Sequence, residues 1–537
     1  MKFFKKKIFA IGLAGLTIFG LTACDDDFEK INTNPNDPEV APTNMIFNGA
    51  TRYLMNYTRD GWWSGRLSLP WMQYSTQYIY IEEDKYQYRE AQTSNGWFYH
   101  YKTANDLKSI IDFCENPDTR TQMEAYGNID NQIAVSRIML SYVFDQLAAH
   151  FGDVPYWSYG NQDPDFQALQ IDEILQPKYA SQQKIYADIL NELKAAANQL
   201  NTAEPVFISG DNIYNGNAEQ WRKFANSLRL RIANRIKHVY PEANAHISDA
   251  IASGVFTSNA DNAVQSFGTS SIEGSPFWQT FAVGRRQDFA ANSQFVNLLK
   301  GVSGNFGIDP RLPKMIAPIG YSAYQVIDRA YTETPFQNIL NDTSLLDQYI
   351  GEPYGMPSGS NSSTIGETSF MSFNVMKPDF GEVLMEYSEV EFILSELNGW
   401  SQSNYEAGVR ASMEKWGVDE THITAYIANL PAANEENVIT QKYIALFMQP
   451  QEAWVEYRRT GYPDGDILLL PGQTGYFVNG DTYTFTPLQS GNVIATDIPS
   501  RVRYPISEQN INSSNYQDAV SQLSNGDEIN SKLWWAN

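Results

Sequence analysis

The residues of this chain best suited to chemistry are flat rings rather than acids, bases or nucleophiles. Fourteen aromatic side chains crowd into residues 53–101. Trp62 and Trp63 follow Asp60-Gly61 and precede Ser64-Gly65, a loop context in which indoles bury less and present rigid faces. Such faces pack on the C–H side of a sugar ring while nearby Asn, Gln and Arg bond its hydroxyls. Trp71, Tyr74 and Tyr78 are spaced three and four apart, one stripe if the segment is helical. Trp278, in Phe277-Trp278, and Tyr354, in Gly351-Glu352-Pro353-Tyr354-Gly355, add two candidates from a loop-rich stretch. Packing between helices is the competing account for all seven. Tyr53, Tyr57, Trp97 and Tyr101 are expected on buried helix faces.

Catalytic constellations are scarce. None of His100, His150, His238, His246 and His422 has a second His at metal spacing, and no nucleophile elbow or phosphate-binding Gly loop occurs. Gly301-Val302-Ser303-Gly304-Asn305-Phe306-Gly307 has glycines at the wrong spacing for phosphate. Glu386, Glu389, Glu391 and Glu396 share one helical stretch and read as a solvated acidic face, since glycosidase work needs two carboxylates across a cleft. Asp163-Pro164-Asp165 reads as a polar turn, too sparse in oxygen ligands for calcium. No metal and no cofactor is expected.

The elements that must hold the rings are helical. Apolar residues recur at three-and-four spacing after Thr43, and over residues 97–114, 129–151, 179–200 and 218–240. A short helix is expected over 241–253 and another near 291–300. Helical text returns over 382–397, 403–416, 421–428 and 435–459. In the helix over 218–240, Trp221, Phe224, Ala225, Leu228 and Ile232 mark the packed side, and Arg222, Lys223, Arg229, Arg231, Arg235 and Lys237 are expected mainly elsewhere. Residues 263–382 are rich in Gly, Pro, Ser and Asn and read as long loops. A hairpin turning at Asn479-Gly480-Asp481 is expected between residues 475–478 and 482–485. Helix pairs joined by turns suggest tetratricopeptide-like repeats without a strict period; the alternative is an irregular all-α domain.

At the amino end Lys2, Lys5, Lys6 and Lys7 precede an uncharged apolar run of 15 residues, 8–22, too short to span a bilayer and suited to a signal core. Leu21-Thr22-Ala23-Cys24 has the form of a bacterial lipobox, so cleavage after Ala23 and lipidation of Cys24 are expected. The four lysines leave with the signal, which takes the net charge from −24 to −28. A field of that sign repels phosphate backbones, so nucleic acid is excluded as a partner. With Cys24 lipidated, Cys114 has no disulfide partner and reads as a structural thiol.

Several stretches together resemble the SusD/RagB family of outer-membrane nutrient-binding lipoproteins of Bacteroidota, in its SusD-like second subfamily. They are the lipobox with Phe28-Glu29-Lys30-Ile31-Asn32-Thr33-Asn34-Pro35-Asn36, then Tyr142-Val143-Phe144-Asp145-Gln146-Leu147 through Phe151-Gly152-Asp153-Val154-Pro155-Tyr156. Trp221-Arg222-Lys223-Phe224-Ala225-Asn226-Ser227-Leu228-Arg229-Leu230-Arg231 follows, then Gln441-Lys442-Tyr443 with Glu452-Ala453-Trp454 and Glu456-Tyr457-Arg458-Arg459. Asp309-Pro310-Arg311-Leu312 and Arg501-Val502-Arg503-Tyr504-Pro505 agree with them. The resemblance implies a mainly α fold in which tetratricopeptide-like helix pairs form a scaffold under a loop-rich ligand face. It divides the chain into a signal peptide at 1–23, a lipidated tether at 24–43 and one SusD-like α-helical domain at 44–537, with a loop-rich insertion around 263–382. It implies no enzymatic activity, an outer-membrane lipid anchor, and a TonB-dependent SusC-like transporter as partner. Asp25-Asp26-Asp27 would be the acidic signal for the cell surface. The ligand is a nutrient, read first as an oligosaccharide; the alternatives are a surface glycoside hydrolase and a scaffold that binds only protein.

Overall fold

Asn or Ser placed just ahead of apolar residues at three-and-four spacing opens helix after helix in this chain. The side chains of Asn128, Ser181, Asn217, Ser401 and Asn434 accept hydrogen bonds from first-turn N–H groups, donors that a helix cannot satisfy internally. The computed structural model describes residues 40–331 and 339–536, so the signal, Cys24 and Asp25-Asp26-Asp27 lie outside the described residues. The longer helices are α1 (Thr43–Thr58), α2 (Glu90–Glu115), α3 (Ile129–Phe151), α4 (Gln182–Gln199), α5 (Ala218–Ile236), α6 (Ala243–Ser253), α7 (Tyr387–Leu397), α8 (Gln402–Lys415), α9 (Glu435–Ala445) and α10 (Pro450–Thr460).

The protein is mainly α-helical. From α1 to α6 each helix packs on the next, the tetratricopeptide-like succession. α3 is the hub, with every residue but Asp130 buried. A second group follows, in which α7 packs on α8 and α9 and also reaches α5. Between the groups the chain is loop-rich, and the strands among the described residues are short antiparallel pairs. Ser75–Gln77 pairs with Phe289–Ala291, and Ala263–Gln265 with Glu382–Met385. Thr474–Tyr476 and Thr482–Thr484 form the expected hairpin, with Gly475 opposite Tyr483.

Three readings need correction. Residues 435–459 are not one helix: Met448 takes a left-handed conformation (φ 69°) and Pro450 opens α10, because proline cannot donate to the preceding turn. Residues 71–78 are not a helical stripe either, since Gln73 has φ 53° and Ser75–Gln77 is a strand. The third concerns charge. Glu386, Glu389, Arg229, Arg231 and Arg235 are buried, not solvated.

These charges form a seam that joins the two helical groups. Arg231 of α5 pairs with Glu389 of α7 and approaches Glu452 of α10 at 3.9 Å. Arg235, one turn on, pairs with Asp145 of α3 and with Glu452 at 3.1 Å. Lys442 of α9 reaches Glu456 at 3.1 Å and Glu389 at 3.6 Å. Arg459 reaches Glu456 at 2.9 Å and Glu396 at 2.7 Å, and Lys237 closes on Glu396 at 2.8 Å. Five cations meet five carboxylates, so the seam is neutral. Burial alone would raise Glu456 and Glu396, but Arg459 together with Lys442 at Glu456 and Lys237 at Glu396 outweighs it and holds both below the usual carboxylate range.

One buried acid stands outside this pairing. Glu382 is fully buried, and neither carboxyl oxygen has a hydrogen-bond partner among the described residues. Burial pushes it up to about 8, against the weaker pull of Arg59 and Lys415. A carboxyl raised on folding contributes stability that is complete below its unfolded value near 4.5 and lost as pH rises toward 8. Glu382→Gln is therefore expected to match the wild-type melting temperature near pH 5 and to exceed it at pH 8.5 by at least about 2–4 °C. Thermal unfolding across that range checks this; a constant offset would show that Glu382 does not titrate there.

Candidate ligand-binding site

α1 delivers the chain to the loop that carries the two adjacent tryptophans. Just past Thr58, Arg59 is buried and donates to Gln451 and to the Tyr142 hydroxyl. Asp60 then folds the loop on itself: its Oδ1 accepts the N–H of Trp62 at 2.9 Å and of Trp63 at 2.7 Å. Burial raises the Asp60 carboxyl to about 7, even though those two bonds and Arg66 favour its ionised form. The Gly61 N–H donates to Thr280 Oγ1 at 3.2 Å, which ties this loop to residues 279–284.

The two indoles diverge from here. Trp62 is 47% exposed and Trp63 is 3% exposed. Trp63 turns inward against His150 and Phe151, and it lies so close to Gly96 that a Cβ there would sit 2.2 Å from the indole. Trp62 turns outward and lines a cleft of about 460 Å³ with Asn56, Tyr57, Asp60, Ile272, Gln279 and Arg286. That volume suits a small ligand or one or two units of a longer one.

Arginines stiffen the cleft wall. The Cζ atoms of Arg66 and Arg286 lie over the Trp62 ring, 4.3 and 5.0 Å from its centroid. They also lie over Tyr80, at 4.9 and 5.7 Å. Arg66 is held by Glu83 at 2.9 Å and Arg286 Nε by Asp288 at 2.9 Å. Tyr80 is 37% exposed, and Tyr57 is 39% exposed. Tyr57 stacks on Tyr99 at 4.6 Å and meets Tyr53 at 4.5 Å, extending the band of rings along α1 and α2.

Burial separates the other expected site residues from this surface. Trp71 packs edge-on against Trp454 at 5.0 Å. Tyr74 stacks on Tyr443 at 4.5 Å and donates to its carbonyl. The Tyr78 hydroxyl bonds Thr368, and the Tyr354 ring sits against Phe485. With Trp63 these four rings are core, covered by residues remote in sequence. Trp278 is half-buried and rests on Gly274, in the segment whose Pro276, Gln279 and Thr280 line the cleft. Tyr57 was expected in the core and lies in the cleft instead. Tyr80 and Arg286 were not singled out by the sequence. Tyr80, within the aromatic-rich stretch, carried a signal, whereas Arg286 carried none.

Among the described residues, no three or more His, Cys, Asp or Glu are placed to hold a metal. Asp60 is the one carboxyl group in the cleft lining. Cys114 is buried, and burial pushes its thiol up to about 12.

A helical-repeat scaffold carries the exposed Trp62 ring on a loop at the cleft. Comparison with known proteins defines the class. Residues 35–472 match the family described as starch-binding and associating with the outer membrane. Residues 432–536 match the SusD and RagB outer-membrane lipoprotein family. The chain belongs to the SusD-like family of outer-membrane lipoproteins. Among the described residues no helix is long and apolar enough to cross a membrane. No curated protein matches. Solved structures share the fold. A SusD homologue from Parabacteroides distasonis is 23% identical, covers 92% of this chain and 98% of its own, and superposes with a TM-score of 0.71. A chitin-binding protein is 24% identical over 91% of this chain and 100% of its own, with a TM-score of 0.69. A chitin-binding SusD homologue from Flavobacterium johnsoniae is 22% identical over 91% and 98%, with a TM-score of 0.67.

Proposed function

We propose that this lipoprotein captures an oligosaccharide nutrient at the cell surface and hands it to a TonB-dependent SusC-like transporter. The observation that carries the reading is the exposed Trp62 ring in a cleft walled by Tyr57, Gln279 and Arg286. Two solved relatives of the same fold are described as chitin-binding, which supports a glycan as the ligand class. Trp62 supplies a stacking face, while Asn56, Gln279 and Arg286 supply hydrogen bonds, a combination that gives modest affinity and permits release. A single carboxyl group in the cleft does not make the pair that glycoside hydrolysis uses, which favours capture over catalysis. In the same reading the signal is residues 1–23, Cys24 carries the lipid at the head of the tether 24–43, Asp25-Asp26-Asp27 direct the protein outward, and the binding domain begins at 44.

The test is affinity electrophoresis and calorimetry with the protein across glycan and peptide panels. A glycan is expected to bind, and Trp62→Ala is expected to weaken it about tenfold or more. Binding of peptides alone, or glycan binding indifferent to Trp62→Ala, would overturn the assignment.

A further inference from the structure

The charge around the Trp62 cleft runs against that of the whole chain, whose formal net charge is −24. Two carboxylates serve the cleft wall. Glu83 pairs with Arg66 and Arg89, and Asp288 pairs with Arg286 and lies 3.8 Å from Arg66. Three guanidinium groups therefore share two carboxylates. Arg52, which donates to the Ile272 carbonyl at the cleft rim, makes no ion pair among the described residues, nor does Arg285 beside Gly284. Glu273, on the rim loop, accepts a bond from Ser270 and adds a third carboxylate, so the five arginines Arg52, Arg66, Arg89, Arg285 and Arg286 face three carboxylates, Glu83, Asp288 and Glu273. Burial raises the Asp60 carboxyl to about 7, so it is only partly ionised near neutral pH. The surroundings of the cleft are thus locally cationic within an acidic protein.

Arg286 is the cation that lines the cleft itself. Asp288 takes its Nε and Nη2 edge, Tyr80 hydrogen-bonds the side chain, and the guanidinium lines the cleft beside Trp62. A guanidinium edge next to a stacking ring matches a sugar that carries an acid on that ring.

We propose that the Trp62 cleft selects acidic sugars, the pyranose lying on Trp62 and its carboxylate or sulfate meeting the Arg286 guanidinium. The proposal rests on the Trp62 cleft being the glycan platform. It narrows the ligand to a uronate-bearing or sulfated oligosaccharide, in contrast with the neutral polymer that two relatives are described as binding.

The test uses matched pairs on the protein: a galacturonate tetramer against its methyl ester, and a sulfated galactan oligomer against its desulfated form. Calorimetry is expected to show the acid of at least one pair binding about tenfold or more tighter than its neutral twin. The pair that shows it identifies carboxylate or sulfate as the recognised group. The advantage should shrink as NaCl approaches 1 M, where the screening length falls to about 3 Å, and vanish in Arg286→Gln. If that variant fails to fold, the acid-to-neutral ratio on wild type decides alone. Acid and neutral twins binding equally, with both lost in Trp62→Ala, would overturn acid selection and leave the platform standing. Failure of every glycan, acidic or neutral, would overturn both.

Discussion

Arg235→Ala is expected to destabilise the protein by about 3–5 kcal/mol. The side chain is fully buried and is the hydrogen-bonded partner of Asp145, whose second oxygen has none among the described residues. Removing it strands a carboxylate in the interior and takes one of two guanidinium groups from Glu452. Its stacking on Trp535, with Cζ 5.6 Å from the ring centroid, is lost as well. Chemical denaturation of wild type and variant measures the effect. A double variant, Arg235→Met with Asp145→Leu, should recover part of the loss, because Asp145 is then no longer a stranded charge while Glu452 keeps only Arg231 at 3.9 Å. A double variant as unstable as the single one would mean that Arg235 matters for packing rather than for charge.

Trp63→Ala is expected to cost about 3–5 kcal/mol, and its neighbour Trp62→Ala less than about 1 kcal/mol. The contrast follows from burial. The Trp63 indole fills the space between Gly96, His150 and Phe151, and its loss leaves a cavity at the foot of the loop. Trp62 gives up its contacts with Arg66 and Arg286, groups that keep their carboxylate partners. Melting temperatures of the two variants compare them directly. Equal losses would show that the outward ring is packed as firmly as the inward one.

Three-and-four spacing and N-cap residues made the helices legible, because both act within a few residues. The hairpin was legible for the same reason. The site was only partly legible because its sides are remote from one another. Trp62 and Trp63 share one loop and one composition, and what separates them is Gly96 on α2 and Arg286 on a distant loop. Tyr74 reads like a platform residue until Tyr443, 369 residues away, covers it. The charged seam was misread for the same cause. Arg235 lies 90 and 217 residues from Asp145 and Glu452, so a local pattern shows a charge without the partner that permits its burial. Membership of the family was legible because its motifs lie in the scaffold, and several of their charged residues are the seam itself.

The divergence of Trp62 and Trp63 also settles when the entropy of the platform is lost. Asp60 fixes both N–H groups of the turn, Trp63 is locked over Gly96, and two guanidinium groups lie on the outward ring. Much of the rotamer freedom of Trp62 is therefore surrendered when the chain folds, before any ligand arrives. A ligand meets a surface already in its bound shape and gives up mainly its own freedom. Recognition at such a surface can then be swift and reversible.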